Sequence, residues 1–230
     1  MRRARAIPAT ALICSLALSA EVNLRSQSRT QLFPPQELVL LEAPDREQWQ
    51  KPDLIMDALL IAEGSVVADL GAGGGWFTAQ LSARVGPNGI VYAEDVQPAM
   101  IDTIERRKVR ENLRNVRPIL GTATDPRLPA GISAALIVDA YREMEIPPAD
   151  PVMLLRRVAA SLKSDGRIGV VDFNPGSGGP GPERDQRLDP EAVIQAAAAA
   201  GLVLIAREPQ INEFQFLLVF GKPAQARVSR

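Results

Sequence analysis

Along this chain, short apolar runs alternate with stretches in which apolar residues recur every three or four positions. The runs predict strands at Ser65–Leu70, Ile90–Glu94, Val116–Leu120, Ala134–Asp139, Ile168–Phe173, Leu202–Ala206 and about Glu213–Phe220. The periodic stretches predict helices at Pro52–Ala62 (Leu54, Ile55, Ala58 and Leu59 on one side), Trp76–Val85, Pro98–Asn112 (Met100, Ile101 and Ile104 inward), Pro151–Leu162 (Met153, Leu154, Leu155 and Val158 inward) and Pro190–Ala200. Gly64, the run Gly86-Pro87-Asn88-Gly89, Asp165-Gly166 and Gly201 supply the breaks. Strands alternating with helices imply βαβ units and a mostly parallel sheet. The last two strands, joined by a short link containing Pro209, read as an antiparallel edge pair. No internal repeat is visible.

The first strand runs directly into Gly71-Ala72-Gly73-Gly74-Gly75, and a helix follows. In this G-x-G-x-G spacing the first glycine permits a tight turn, the second lets a ligand approach the backbone, and the third allows close passage into the helix. Asp69 stands just before the turn, where a carboxylate orders loop amides or accepts from a ligand amine. Asp95, twenty residues past Gly75, ends the second strand, where an acid takes two hydrogen bonds from a ribose diol. Glu94 competes for that role, but alternation points it to the opposite side, and Asp95 fits the register better. The bland reading makes the glycines a flexible turn and the acids a solvated strand end. The pattern alone leaves a dinucleotide and S-adenosylmethionine both open.

Composition narrows the partners. With a net charge of -1, no long basic run and 4% aromatics, no nucleic-acid partner is expected. Arg2, Arg3 and Arg5 precede an apolar stretch from Ile7 to Leu18, which reads as a signal peptide over residues 1–20. The stretch is short for a membrane span, so none is expected beyond this segment. The expected location is periplasmic or secreted, with the cytoplasm as the alternative. Cleavage would remove three arginines, no acid and the sole cysteine, Cys14, excluding thiol catalysis and disulfides. No metal cluster is expected, since the aspartates fall at different strand ends.

The segment Asp69-Leu70-Gly71-Ala72-Gly73-Gly74-Gly75-Trp76-Phe77-Thr78 resembles motif I of the class I S-adenosylmethionine-dependent methyltransferases. Gly89–Met100 resembles their second strand and its exit, and Leu120–Pro126 the stretch after the third strand. Ile137–Met144 is similar to the motif after the fourth strand, Leu162–Ile168 to their L-K-P-G-G-R run, and Phe216–Phe220 to their last strand. Arg46, Trp49, Gln50 and Pro52 resemble the lead-in of a bacterial, often exported subgroup. The resemblance covers roughly residues 45–222. It implies an α/β, Rossmann-like seven-stranded sheet of order 3-2-1-4-5-7-6, with strand 7 antiparallel and helices on both faces. An irregular extension is expected at 21–44 and a tail at 223–230. It also implies S-adenosylmethionine as cofactor, with Gly71, Ala72 and Gly73 on its methionine and ribose side. Asp69 would sit at the base of the turn, Asp95 on the ribose, Val96 on the adenine, and Thr124 and Asp125 beside it. Asp139 and Tyr141 would border the methionine end and the transferred methyl.

Methyl transfer from a sulfonium needs placement above all, and a base only where the acceptor loses a proton. Tyr141 and Glu143 are the candidate catalytic groups: Tyr141 to orient an acceptor, Glu143 as a base or only as a helix cap. The chain has no histidine, so no histidine relay exists, and Arg142 stands where the subgroup often has one. The Gly- and Pro-rich segment Asn174–Arg187 is read as either a substrate lid or a solvated connector. The expected function is methyl transfer to an unidentified acceptor, foremost a small molecule. The alternative is a non-catalytic nucleoside-binding protein. A nicotinamide-dependent oxidoreductase is disfavoured, since no Tyr-x-x-x-Lys pair is present.

Overall fold

The strands assemble into one seven-stranded sheet of order β3-β2-β1-β4-β5-β7-β6. They are β1 (Val66–Leu70), β2 (Ile90–Asp95), β3 (Val116–Leu120), β4 (Ile132–Val138), β5 (Leu162–Phe173), β6 (Val203–Glu208) and β7 (Gln215–Gly221). β7 runs antiparallel to both β5 and β6, and the other pairings are parallel. The expected order and the antiparallel strand 7 are both observed. The structure is a computed structural model that describes residues 31–176 and 178–223. The signal-peptide expectation at residues 1–20 therefore lies outside the described residues. All named elements lie in the unit Phe33–Arg230.

Six helices are present among the described residues: α1 (Arg46–Gln50), α2 (Pro52–Ala58), α3 (Trp76–Val85), α4 (Pro98–Arg110), α5 (Pro151–Ser161) and α6 (Pro190–Ala199). The period-two alternation of the strands sorts them into two layers. Val67, Val91, Leu136, Val171 and Leu217 face Ile55, Phe77, Leu81 and Ile104 of α2, α3 and α4, together with Leu59 just past α2. Ala68, Leu70, Ile137, Val170 and Leu218 face Leu155, Val158, Val193 and Ala197 of α5 and α6. Both faces of the central strands are covered, which is why they read as continuous apolar runs.

Several expectations need correction. The helix from Pro52 stops at Ala58, because Leu60 takes a left-handed backbone (φ 56). Leu54 and Met153, expected inside, are 47% and 40% exposed, since each lies at the edge of its helix's apolar stripe. β4 ends at Val138, and Asp139 leaves the strand with φ 58. β5 begins at Leu162: Leu162 pairs with Ile132 and Arg167 with Ala134, so the expected Asp165-Gly166 turn is an excursion within a longer strand. The stretch expected to be irregular before residue 45 contains a 3-10 helix, Pro35–Leu41.

Candidate active site

The exits of β1, β2, β4 and β5 meet at one end of the sheet, where ligands of open parallel sheets bind. β1 leads into Gly71 and Gly73, both with positive φ (66 and 54), and Gly75 forms the N-cap of α3. A Cβ built on Gly71 would lie 2.7 Å from Cβ of Ala140, so the turn closes against the β4 exit only with glycine there. A Cβ at Gly73 would meet only a Leu38 methyl, at 3.9 Å. The Ala72 amide donates to the Glu94 carbonyl at 2.9 Å, fixing the turn to the end of β2.

Asp69 and Asp95 both point to the α3 side. Asp69 is 2% exposed and accepts from the Thr78 hydroxyl at 2.5 Å, so it ties the strand end to the start of α3. Burial pushes its carboxyl up to about 6, against the Thr78 bond and the charge of Arg46. Asp95 accepts from the Gly73 amide at 3.0 Å and the Gln97 amide at 2.9 Å, and burial raises it despite those bonds. The Val96 amide lowers it as well, and the carboxylate keeps acceptor capacity for a hydroxyl. Glu94, on the opposite side as alternation requires, is 3% exposed and pushed up to about 8 by burial and by Asp95. Val96 follows Asp95, half-buried, and Gln97 holds the Phe33 carbonyl through its side-chain amide at 3.1 Å. Thr124 and Asp125 lie in a tight loop where Thr122 and Asp125 bridge, and Asp125 accepts from the Arg127 amide at 2.8 Å.

The β4 side is built differently. The Asp139 carboxylate accepts from Arg46 at 3.2 Å, Gln50 at 3.0 Å and the Gln215 side-chain amide. Asn212 donates to Gln215 Oε1 at 2.8 Å, completing a buried network. Burial raises Asp139, and Arg46 with the two glutamines offsets part of that rise. Burial likewise lowers the Arg46 guanidinium, which also donates to the Leu41 carbonyl and lies 4.4 Å from the Trp76 ring centroid. Asp139 is thereby occupied by protein donors.

Tyr141 is fully buried among Leu155, Val158 and Phe216, and its hydroxyl has no hydrogen-bond partner. It packs below the site, inside the α5–α6 layer. Glu143 accepts from the Phe33 amide at 3.2 Å, and burial raises it. It does not cap the following helix: Asp150 does, accepting from the Met153 amide at 3.0 Å. The segment Phe33–Gln50 thus roofs the strand exits. Leu38 approaches Gly73 and Gly74, Glu42 pairs with Arg107 at 2.6 Å, and Arg46 and Gln50 reach Asp139. Past β5, Arg187 gathers the carbonyls of Asn174, Pro180 and Pro182 at 3.0–3.2 Å and lies 5.5 Å from the Phe173 ring. This folds the Gly/Pro segment against an aromatic group in which Trp49 meets Phe173 at 5.9 Å and Phe214 at 6.3 Å.

Arg46, Gln50 and Gln215 are the functional neighbours that motif reading did not assign. A signal existed: Arg46 and Gln50 are spaced i, i+4, and Gln215 is polar at the head of an apolar run.

Residues 67–166 match the family model described as a methyltransferase domain. The chain is 31% identical over 113 residues to a protein-L-isoaspartate O-methyltransferase of Methanothrix thermoacetophila, covering 45% of this chain and 54% of the relative. It is 30% identical over 134 residues to the aklanonic acid methyltransferase DauC of a Streptomyces species, covering 57% and 60%. The chain thus spans a little over half the length of these curated relatives. A S-adenosylmethionine-dependent methyltransferase of Aquifex aeolicus superposes with a TM-score of 0.76 at 22% identity, over 82% of this chain and 98% of that one. Sheet order, glycine turn and these matches define the class: this protein has the class I S-adenosylmethionine-dependent methyltransferase fold. The site fits that cofactor, with an uncrowded Gly73 and an Asp95 that already organises the turn and keeps acceptor capacity.

Proposed function

We propose that this protein transfers the methyl group of S-adenosylmethionine to a small-molecule acceptor. The carrying observation is Asp95, bonded to the Gly73 amide at the mouth of the 3-2-1-4-5-7-6 sheet. When bound, the cofactor supplies an electrophilic methyl on a sulfonium, so the protein's task is alignment and exclusion of water. Asp95 holds ribose hydroxyls. Gly71, Ala72 and Gly73 offer backbone to the methionine and ribose side. The roof of residues 33–50 shields the exits, and Asp139 fixes that roof through Arg46 and Gln50. Strand exits roofed in this way suit a small acceptor, and one relative is named for such a compound, aklanonic acid.

Calorimetric titration of the full chain with S-adenosylmethionine, S-adenosylhomocysteine and NAD tests the proposal. Micromolar binding of a sulfur nucleoside and none of NAD supports it; no binding of either sulfur nucleoside overturns it. Export is a separate proposal that rests on Arg2, Arg3, Arg5 and the apolar run alone. Mass spectrometry of the N-terminus after expression in a bacterium checks it, and an intact Met1–Ala20 segment in the cytoplasmic fraction overturns it.

A further inference from the structure

Three acids at the strand exits already have work within the fold. Asp69 holds Thr78, Asp95 takes two loop amides, and Asp139 takes Arg46, Gln50 and Gln215. Asp172, at the end of β5, is 4% exposed, yet its one hydrogen bond is from the adjacent Phe173 amide to Oδ1 at 2.7 Å. Among the described residues, no hydrogen bond ends on its Oδ2 and no cation pairs with it. A carboxyl buried at a strand exit without a charged partner is costly for stability, which is the situation in which functional acids are found.

Its position is tied to the site. Val138 is in register with Val171, and the Asp139 amide donates to the Val171 carbonyl at 2.9 Å. Asp172 therefore stands beside Asp139 on the neighbouring strand, roughly 5 Å away at the backbone. The two carboxyls feel each other: after burial, repulsion from Asp139 is the largest influence on Asp172. We propose that Asp172 is the general base of this protein and that the acceptor is accordingly a hydroxyl compound. This rests on the methyltransferase reading above. The acceptor oxygen forms its bond to the methyl carbon as the carbon–sulfur bond breaks and sulfur keeps the electron pair. The hydroxyl proton passes to the Asp172 carboxylate. A hydroxyl needs such help, because its conjugate acid is too strong to form freely. A neutral amine sheds its proton to water afterwards, and a thiol ionises near neutral pH by itself. With no histidine in the chain, no imidazole competes for the role.

The charges around Asp172 set its pH behaviour. Asp139 from β4 and Glu145 from the turn after it raise the carboxyl, and Arg142 from the same turn lowers it. Ile168 and Val170, on the same side of β5, lie in the apolar layer with Leu155 and Val158 of α5 and Val193 of α6, and the register partner of Asp172 on β7 is the apolar Phe216. The carboxyl is pushed up to about 8. The basic form gains population as pH rises to that value, so turnover rises with it.

The test uses the full chain, methyl-labelled S-adenosylmethionine and a panel of phenols, catechols, aliphatic alcohols, amines and thiols. Methylation of a hydroxyl is expected, with Asp172→Asn lowering kcat by ~100-fold or more. The variant should keep its affinity for S-adenosylhomocysteine and lose the rise of kcat between pH 6 and 8. In protein labelled with 13C at the aspartate carboxyls, one resonance absent from the variant should titrate above pH 7. Wild-type turnover in the variant, a flat wild-type pH profile, titration in the ordinary carboxylate range, or a panel with no methylated hydroxyl each overturns the proposal. Should the variant fail to fold, the wild-type profile decides. Failure of the wild type to bind S-adenosylhomocysteine overturns the methyltransferase reading instead.

Discussion

The two halves of the site are held together on different scales. On the β1–β2 side the bonds are short-range: Thr78 to Asp69 spans 9 residues and Gly73 to Asp95 spans 22. On the β4–β5 side, Asp139 gathers donors that are 93, 89 and 76 residues away. One half is a local motif that folds around its own glycines. The other half is assembled only when the N-terminal roof, β4 and β7 meet.

Removing the long-range anchor should have the largest effect. Arg46→Ala leaves Asp139 buried without its cation and Trp76 without its stacked guanidinium, and is expected to cost about 3 kcal/mol in urea unfolding. A cost under about 1 kcal/mol would show that the network contributes little. The local half breaks through its backbone. Gly71→Ala meets Ala140 at 2.7 Å in a left-handed conformation. It should cost roughly 2 kcal/mol and abolish measurable S-adenosylhomocysteine binding.

Asp95→Ala sharpens the comparison, since it acts on binding more than on folding. Loss of charge-assisted bonds should weaken S-adenosylhomocysteine by at least ~10-fold in calorimetry. Unchanged affinity would remove Asp95 from the ribose. Glu94 tests the pH axis. Its proton is held more tightly in the folded chain than in the unfolded one, where the ordinary value is 4.5. Its stabilising contribution is therefore complete below about 4.5 and is lost as pH rises through about 8. Glu94→Gln keeps an acceptor and abolishes this loss. The advantage of the variant over the wild type should be small near pH 5, grow as pH rises, and level off above about 8. The smallest effect is expected at Glu191→Ala, whose partner Arg207 is exposed: a change within about 0.5 kcal/mol.

Much of the fold was legible because its signals are local. Trp76–Val85 and Val116–Leu120 have the boundaries that the pattern predicts, since Gly75 and Gly86 flank the helix and Gly121 ends the strand. Asp95 was legible because register and alternation place it. Asp139 was legible as a site residue but not as an occupied one, because its donors come from distant segments. Tyr141 followed the motif after strand 4, yet packing turned its ring into the α5–α6 core. The short helix Arg46–Gln50 escaped notice because five residues carry too little periodicity to register.

The sequence by itself determined the alternation of strands and helices, the glycine turn and the acids at strand ends, since each depends on backbone preference and burial within a few residues. The tertiary structure alone decided which acids are held by donors from distant segments. Occupancy depends on side chains brought from dozens of residues away, and no local pattern encodes that distance.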